Sequence, residues 1–325
     1  MTRISREEVS HIVADLESRF IAHDAYRDLQ DQIDDIFFRR KAHMAAGRMP
    51  AERGIVVIGN AGAGKTVSTK HALEQHPQIS YGSPLRETLT VRLETGATIK
   101  GVGVDTLDAF GYESKSERNA HSIWQQVMRQ ARAHKTLFFH FDEAQHILRS
   151  KSKHDLDQVM LVWKSCLEYA TWPVSLILSG TCELLDLINR DDQLKRRFEP
   201  VHFAPMTYAA HGHEVGGVLE AYLSAAKLGR GQSFQAASSV QRLLHASRYE
   251  FGLTTRLIIE AIKIALLEGS ASVEQAHFAT AYRKQKGCVD ALNPFIVENF
   301  RAINTGQLLG GADLEAPPVK TRGAA

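Results

Sequence analysis

Hydrophobic positions along this chain follow two different periods. Between Gly54 and Pro205 short apolar runs recur at Ile55–Ile58, Leu89–Leu93, Leu137–Phe141, Val174–Leu178 and Val201–Phe203. Turn residues bound each run, and segments of helical spacing separate them. That pattern predicts parallel strands buried on both faces. Five of them predict a doubly wound α/β domain, a five-stranded parallel sheet sandwiched by helices. Upstream, Leu29, Ile33, Ile36 and Phe37 recur at helical spacing, and Gly47 and Pro50 then punctuate the chain. Ser5 and Glu8 fit a capping box for an earlier helix. After Pro205 the β runs stop. Val215 to Leu228, Phe234 to Ala246, Thr255 to Leu267 and Val273 to Tyr282 all read as amphipathic helices. The expected organisation is an N-terminal helical segment over 1–50, an α/β domain over 51–206 and an all-α lid over 207–309. A small, polar, Pro-containing tail over 310–325 is expected to stay disordered or to fold only on a partner.

Composition changes this picture little. The chain has 325 residues, 44% hydrophobic and 23% charged, as expected of a soluble globular protein with a large core. No stretch approaches the roughly 20 consecutive apolar residues of a membrane helix. Met1 to Phe20 carries charge throughout and has no apolar signal core. Cys166, Cys182 and Cys288 have no metal or redox spacing, which fits a reducing cytoplasm. Net charge is only +2, so a nucleic-acid surface would have to be a local patch.

The chemistry begins at the first strand. Gly59, Asn60, Ala61, Gly62, Ala63, Gly64, Lys65 and Thr66 match G-x-x-x-x-G-K-[ST] in full, after a strand and before a helix. Glycines let the loop wrap so that its N–H groups converge on phosphate oxygens, and the helix N-terminus adds positive potential. Lys65 is expected to reach the β- and γ-phosphates, and Thr66 to supply a hydroxyl to Mg²⁺. Val67 joins the expected nucleotide contacts. A glycine-rich turn without a nucleotide is the competing explanation, and the complete motif in this setting argues against it.

A second apolar strand ends in Asp142 and Glu143. Asp142 is expected to hold Mg²⁺ through its water shell, and Glu143 to act as general base on the attacking water. A bare acid pair could equally cap a helix; downstream of a phosphate loop it points to ATP hydrolysis. Leu176 to Thr181 ends a further strand in polar residues. In ATPases of this layout a polar group here senses the γ-phosphate, and Ser179 or Thr181 could do so. Thr181 could also, or instead, N-cap the helix Glu183–Asn189. Arg196 and Arg197 follow a short helix and precede the last strand. They fit an arginine finger acting on a neighbouring subunit, with Arg197 preferred; a solvated basic turn is the alternative. Arg256 opens a lid helix and is placed to act as sensor 2, or is an ordinary surface arginine.

These residues resemble a known family. The phosphate loop, Asp142-Glu143-Ala144-Gln145-His146, Ser179-Gly180-Thr181 and Gln193-Leu-Lys-Arg-Arg-Phe198 look like the AAA+ transposition regulators TniB and TnsC of Tn5053-like and Tn7-like elements, CRISPR-associated transposons included. Arg19-Phe-Ile-Ala-His23 also resembles the TniB opening, and the likeness runs from about Phe20 to Tyr282. It implies an AAA+ P-loop fold with a C-terminal lid, and ATP and Mg²⁺ as cofactors. It further implies a homo-oligomeric ring or helical filament on double-stranded DNA that recruits a TnsB- or TniA-like transposase, with or without TnsA. A TniQ-type target selector would nucleate or cap the assembly, and hydrolysis would dismantle it. The resemblance places a strand and a small helix in Glu87–Gly111. It sets Phe20 and Ile21 near the adenine, with core packing as the alternative, and turns Lys100, Lys115, Lys151 and Lys153 toward DNA, although any one of them could be an ordinary solvated lysine. A loader or motor ATPase acting on other proteins, of the helicase-loader or secretion type, shares every Walker residue. A nucleotide-gated scaffold with little turnover would not need Glu143.

Overall fold

The structure, a computed structural model, describes residues 4–81, 84–112, 119–148 and 153–306, with only the backbone at 153 and 154. The expected tail, Lys115 and Lys151 lie outside them. In chain order the elements begin with α1 (Arg6–Ser18), α2 (Asp24–Ala45), β1 (Gly54–Gly59), α3 (Lys65–Glu74), β2 (Thr88–Arg92), α4 (Ile99–Ala109), α5 (Ala120–Ala133) and β3 (Phe138–Asp142). There follow α6 (Lys153–Leu167), β4 (Ser175–Gly180), α7 (Glu183–Asn189), α8 (Asp192–Lys195) and β5 (Phe198–Phe203). The remainder is α9 (Tyr208–Ala225), β6 (Gly229–Arg230), α10 (Ala237–Ala246), α11 (Phe251–Glu268), β7 (Ser272–Val273) and α12 (Gln275–Lys286).

Residues Ala22–Ala204 form one compact unit. Its five strands are all parallel, in the order β2-β3-β4-β1-β5. The inner strands β1, β3 and β4 are buried almost throughout, which is why they read as largely apolar runs; the edge strands β2 and β5 are partly exposed. On β3, Phe139 and Phe141 face α4 and α5. Phe110, which closes α4, sits 6.2 Å from Phe139 between ring centroids, and Trp124 of α5 sits 6.4 Å from Phe141. Side chains alternate along a strand, so His140 and Asp142 face the other side, toward α3. A buried ion pair ties α2 to the entry of β1. Arg40 donates to Glu52 at 2.6 Å, and its guanidinium lies 4.9 Å over the Trp172 ring.

The second unit consists of the residues up to Ile21 together with those from Pro205 onward. Val9 and Leu16 of α1 share one core with Leu219, Phe234, Leu257 and Phe278. Phe234 stacks on Phe278 with centroids 4.1 Å apart. Within the N-terminal segment 1–50, α1 belongs to this unit and α2 to the other. The physical reason is α1's apolar stripe: Val9 and Leu16 are buried in the helical core, and Ile12 and Val13 are partly buried against it. The capping box at Ser5 and Glu8 is present. The expected lid helices appear as α9 to α12, with one addition: β6 and β7 form a two-residue parallel pair. Among the described residues no helix is long and apolar enough to cross a membrane.

Candidate functional site

Ligands of open α/β sheets bind at the carboxyl ends of the strands. Here β1 ends at Gly59, β3 at Asp142 and β4 at Gly180. A Cβ on Gly59 would lie 2.6 Å from the carbonyl oxygen of Phe203, so only glycine lets β1 and β5 come this close. Gly62 and Gly64 take φ of +87° and +101°, the left-handed region that favours glycine, and bring the loop round into α3. The Lys65 ammonium donates to the carbonyls of Gly59 and Asn60 at 2.8 and 2.9 Å, folded back over its own loop. Asn60, Ala61 and Gly62 are exposed along the loop, Ala63 is buried, and Val67 is 63% exposed on the first turn of α3.

Thr66 meets Asp142 across the sheet edge. Its hydroxyl donates to one Asp142 oxygen at 2.9 Å, and the Ser179 hydroxyl donates to the other at 2.6 Å. Loop, acid and β4 serine therefore meet at one buried carboxylate. Behind Ser179 stands His140, whose Nε2 lies 2.8 Å from the serine oxygen; burial pushes its pKa down to about 4.

Glu143 follows Asp142 with φ 55° and ψ 37°, a left-handed backbone for a non-glycine residue at the start of a short 3₁₀ turn, Ala144–Ile147. Such strain persists where surrounding contacts over-determine it. Gln145 supplies one of them: its amide nitrogen donates to Glu143 at 2.5 Å, while its carbonyl oxygen accepts the Thr181 N–H at 3.4 Å. Gln145 is itself 3% exposed.

Thr181 does not N-cap α7. Cys182 takes the cap position, with no side-chain cap bond, and the buried Thr181 hydroxyl has no partner among the described residues. α7 starts at Glu183, as expected, so its cap position falls on Cys182, and Thr181 stands one residue too early to cap it. The orphaned hydroxyl remains available to a ligand beside Ser179.

Arg196 and Arg197 stand at the opposite end of the sheet. The Arg197 carbonyl accepts from Gly54 N–H at 2.9 Å, where β1 and β5 begin. From Gly54 to Gly59 is five steps, roughly 16 Å at about 3.3 Å per residue. Arg197 pairs with Glu168 at 2.6 Å, while Arg196 is exposed and makes no ion pair among the described residues. In the helical unit, Arg256 is exposed on the first turns of α11. Phe20 and Ile21, with Arg19, Ala221 and Tyr222, line a cavity of about 240 Å³ there. Lys100 is half-buried in the first turn of α4, and Lys153 opens α6.

Sequence reasoning missed two side chains of this site. His140 is a lone polar residue inside an apolar strand, a signal that was visible. Gln145 shows its role only once β4 is placed beside it.

A search of curated proteins gave no match. Among solved structures the chain is similar to the Aeropyrum pernix ORC2 protein in its ADPNP–ADP complexes, with a TM-score of 0.59 and 14% identity over 84% of this chain and 72% of that one. It is also similar to the A. pernix ORC1 protein in complex with DNA, with a TM-score of 0.56 and 14% identity over 81% of this chain and 64% of the other. Drosophila ORC bound to DNA gives a TM-score of 0.56 and 13% identity, over 88% of this chain and 67% of the other. At such identities the likeness speaks for the fold, an AAA+ P-loop architecture. The family model of the bacterial TniB protein matches residues 12–208, more than half of the sequence, and the chain belongs to the TniB family.

Proposed function

We propose that this protein is an ATP-hydrolysing, DNA-associated AAA+ regulator of transposition. The observation that carries the catalytic part is the meeting of Thr66 and Ser179 on Asp142, next to Glu143 and below the phosphate loop. The donor set suits Mg²⁺, a hard cation that takes oxygen ligands and keeps several waters. Thr66 would hold it directly and Asp142 through water. Bound ATP–Mg²⁺ supplies the γ-phosphoryl group and neutralises its charge. Gly59 to Thr66, with Val67 beside them, would form the nucleotide cradle. Lys65, held by two loop carbonyls, is placed to exchange them for phosphate oxygens. Glu143 would take a proton from the attacking water once Gln145 lets it go, and Ser179 with the orphaned Thr181 hydroxyl would contact the γ-phosphate end.

Arg197 sits at the far end of β1 from its own Lys65, which supports a finger reaching a neighbouring subunit, with Arg196 as the alternative. Hydrolysis would then need a homo-oligomer. Arg256 is proposed to report nucleotide state through the helical unit.

The DNA part rests on the TniB family and on neighbours whose structures are described in complex with DNA. With a net charge of only +2, a local set of lysines would carry it; Lys100, Lys115, Lys151 and Lys153 are the candidates, as sequence-independent phosphate contacts. In this reading an ATP-bound ring or filament on double-stranded DNA presents a platform to a transposase and a TniQ-type selector in the cytoplasm, and hydrolysis dismantles it.

The test is electron microscopy of the full chain with duplex DNA and a non-hydrolysable ATP analogue. Ordered assemblies that need both are expected. Assembly indifferent to DNA, with turnover stimulated instead by a protein substrate, would favour a loader or motor.

A further inference from the structure

The middle of β3 carries a residue unlike its neighbours. His140 is fully buried between Phe139 and Phe141. The strand register sets it beside Thr90 of β2 and Ile177 of β4. Because side chains alternate, Ser179, two residues past Ile177, shares its face, as does Asp142. The side chains join in one chain. Thr90 Oγ1 lies 3.3 Å from His140 Nδ1, His140 Nε2 lies 2.8 Å from Ser179 Oγ, and Ser179 Oγ lies 2.6 Å from Asp142 Oδ1. The other Asp142 oxygen takes the Thr66 hydroxyl at 2.9 Å.

A proton count fixes the direction of every link. A hydroxyl has one hydrogen, and an ionised carboxylate has none to give. Ser179 gives its hydrogen to Asp142, so the bond behind it has to be donated by His140. Nε2 therefore carries the ring hydrogen, and Nδ1 is left to accept from Thr90. Packing alone does not call for this residue, because the rest of the Phe138–Phe141 run is phenylalanine and an apolar side chain would fill the same interior.

We infer that His140 is a positioning residue of the hydrolytic site. Its Nε2–H occupies a lone pair of Ser179 and so turns the serine hydrogen onto Asp142, holding the γ-phosphate sensor and the metal-side carboxylate in one arrangement. Without that donor the Ser179 hydroxyl has only Asp142 to orient it and a buried lone pair goes unmatched, so its 2.6 Å bond to Asp142 is less well fixed. The inference rests on the proposed ATPase reading. It adds a residue three steps before the general base that touches no reacting atom.

The experiment uses the full chain. Long-range ¹H–¹⁵N spectra of histidine-labelled protein should assign His140 as the Nε2–H tautomer; an Nδ1–H ring overturns the inference even if no variant folds. His140→Leu should slow kcat about tenfold or more while KM moves less than about threefold, the size expected for loss of one hydrogen bond within a charged network. His140→Gln, which keeps an N–H near the Nε2 position, should recover most of that loss. In a Ser179→Ala background His140→Leu should add nothing, because the histidine acts through the serine. Wild-type turnover in His140→Leu, or full additivity with Ser179→Ala, overturns it. Failure of the ATPase reading would show separately, as Glu143→Gln turning over like wild type. In that case the tautomer and the Mg²⁺ concentration needed for nucleotide binding, raised in His140→Leu, still decide the role of His140.

Discussion

The carboxamide of Gln145 fills the space that a side chain at Gly180 would need: a Cβ there would lie 2.1 Å from Gln145 Oε1. Gly180 closes β4, and Gln145 restrains Glu143, so the end of one strand and the proposed general base are coupled through one amide. Gly180→Ala must displace that amide or distort the backbone. It is expected to destabilise the α/β unit by about 1 to 3 kcal/mol, the usual cost of overpacking. Adding Gln145→Ala should restore most of the loss. Thermal unfolding of both variants checks this; a second substitution that fails to rescue would place the clash elsewhere.

The part of this arrangement that was legible in the sequence follows physical lines. β1, β3 and β4 are visible because inner strands covered on both faces are apolar at most positions, and the phosphate loop because its glycines and Lys65 are contiguous. The placing of α1 was not legible. Its stripe of Val9, Ile12, Val13 and Leu16 says only that something covers it, and the helices that do so come 200 residues later. The cap is not legible from residue type alone: α7 spans the expected Glu183–Asn189, and the residue directly before it is Cys182, so the threonine that is chemically suited to cap stands one position too early. Arg197 could be assigned to a position before the last strand, but only the pairing of Gly54 with Phe198 puts it at the far end of the sheet.

The strained backbone of Glu143 and its bond to Gln145 hold the proposed base back. Glu143→Gln keeps the shape and removes the proton acceptor. Nucleotide binding should persist, while turnover falls about 100-fold or more, within the range ascribed to general-base catalysis. Assemblies on DNA should outlive those of wild type. Assemblies as short-lived as wild type would remove Glu143 from the role. Lys65→Ala, by contrast, should abolish binding of a fluorescent nucleotide.

Glu52 is 1% exposed and takes bonds from Arg40 at 2.6 Å, Arg39 at 2.9 Å and Ser175 at 3.4 Å. Removing one partner of a buried pair leaves the other charge without compensation. Glu52→Gln should cost about 3 to 5 kcal/mol in the α/β unit. All three tryptophans, Trp124, Trp163 and Trp172, lie in that unit, so the fluorescence transition in urea reports on it. An unchanged midpoint would mean that Arg40 finds another partner, or that its contact with the Trp172 ring suffices.

Arg197 and Lys65 of one chain are separated by the length of β1, so a site that needs both must draw them from different subunits. This makes a complementation test possible. Arg197→Ala protein and Lys65→Ala protein should each be nearly inactive: the first lacks the proposed finger, a role that contributes about 10³- to 10⁵-fold in phosphoryl-transfer sites, and the second lacks the loop lysine. Mixed, they create interfaces in which an intact Lys65 faces an intact Arg197. Random mixing of equal amounts should give about a quarter of the interfaces this pairing, and turnover should rise toward that fraction of wild type. A cis finger predicts no rise at all. Repeating the mixture with Arg196→Ala in place of Arg197→Ala identifies the arginine, since only the true finger needs rescue. Glu168→Gln is the companion variant. It releases Arg197 from its 2.6 Å ion pair and should speed assembly-dependent turnover if that pair restrains the finger between encounters. Because the pair is partly exposed and such pairs contribute little to stability, the variant should unfold close to wild type, which separates the two effects.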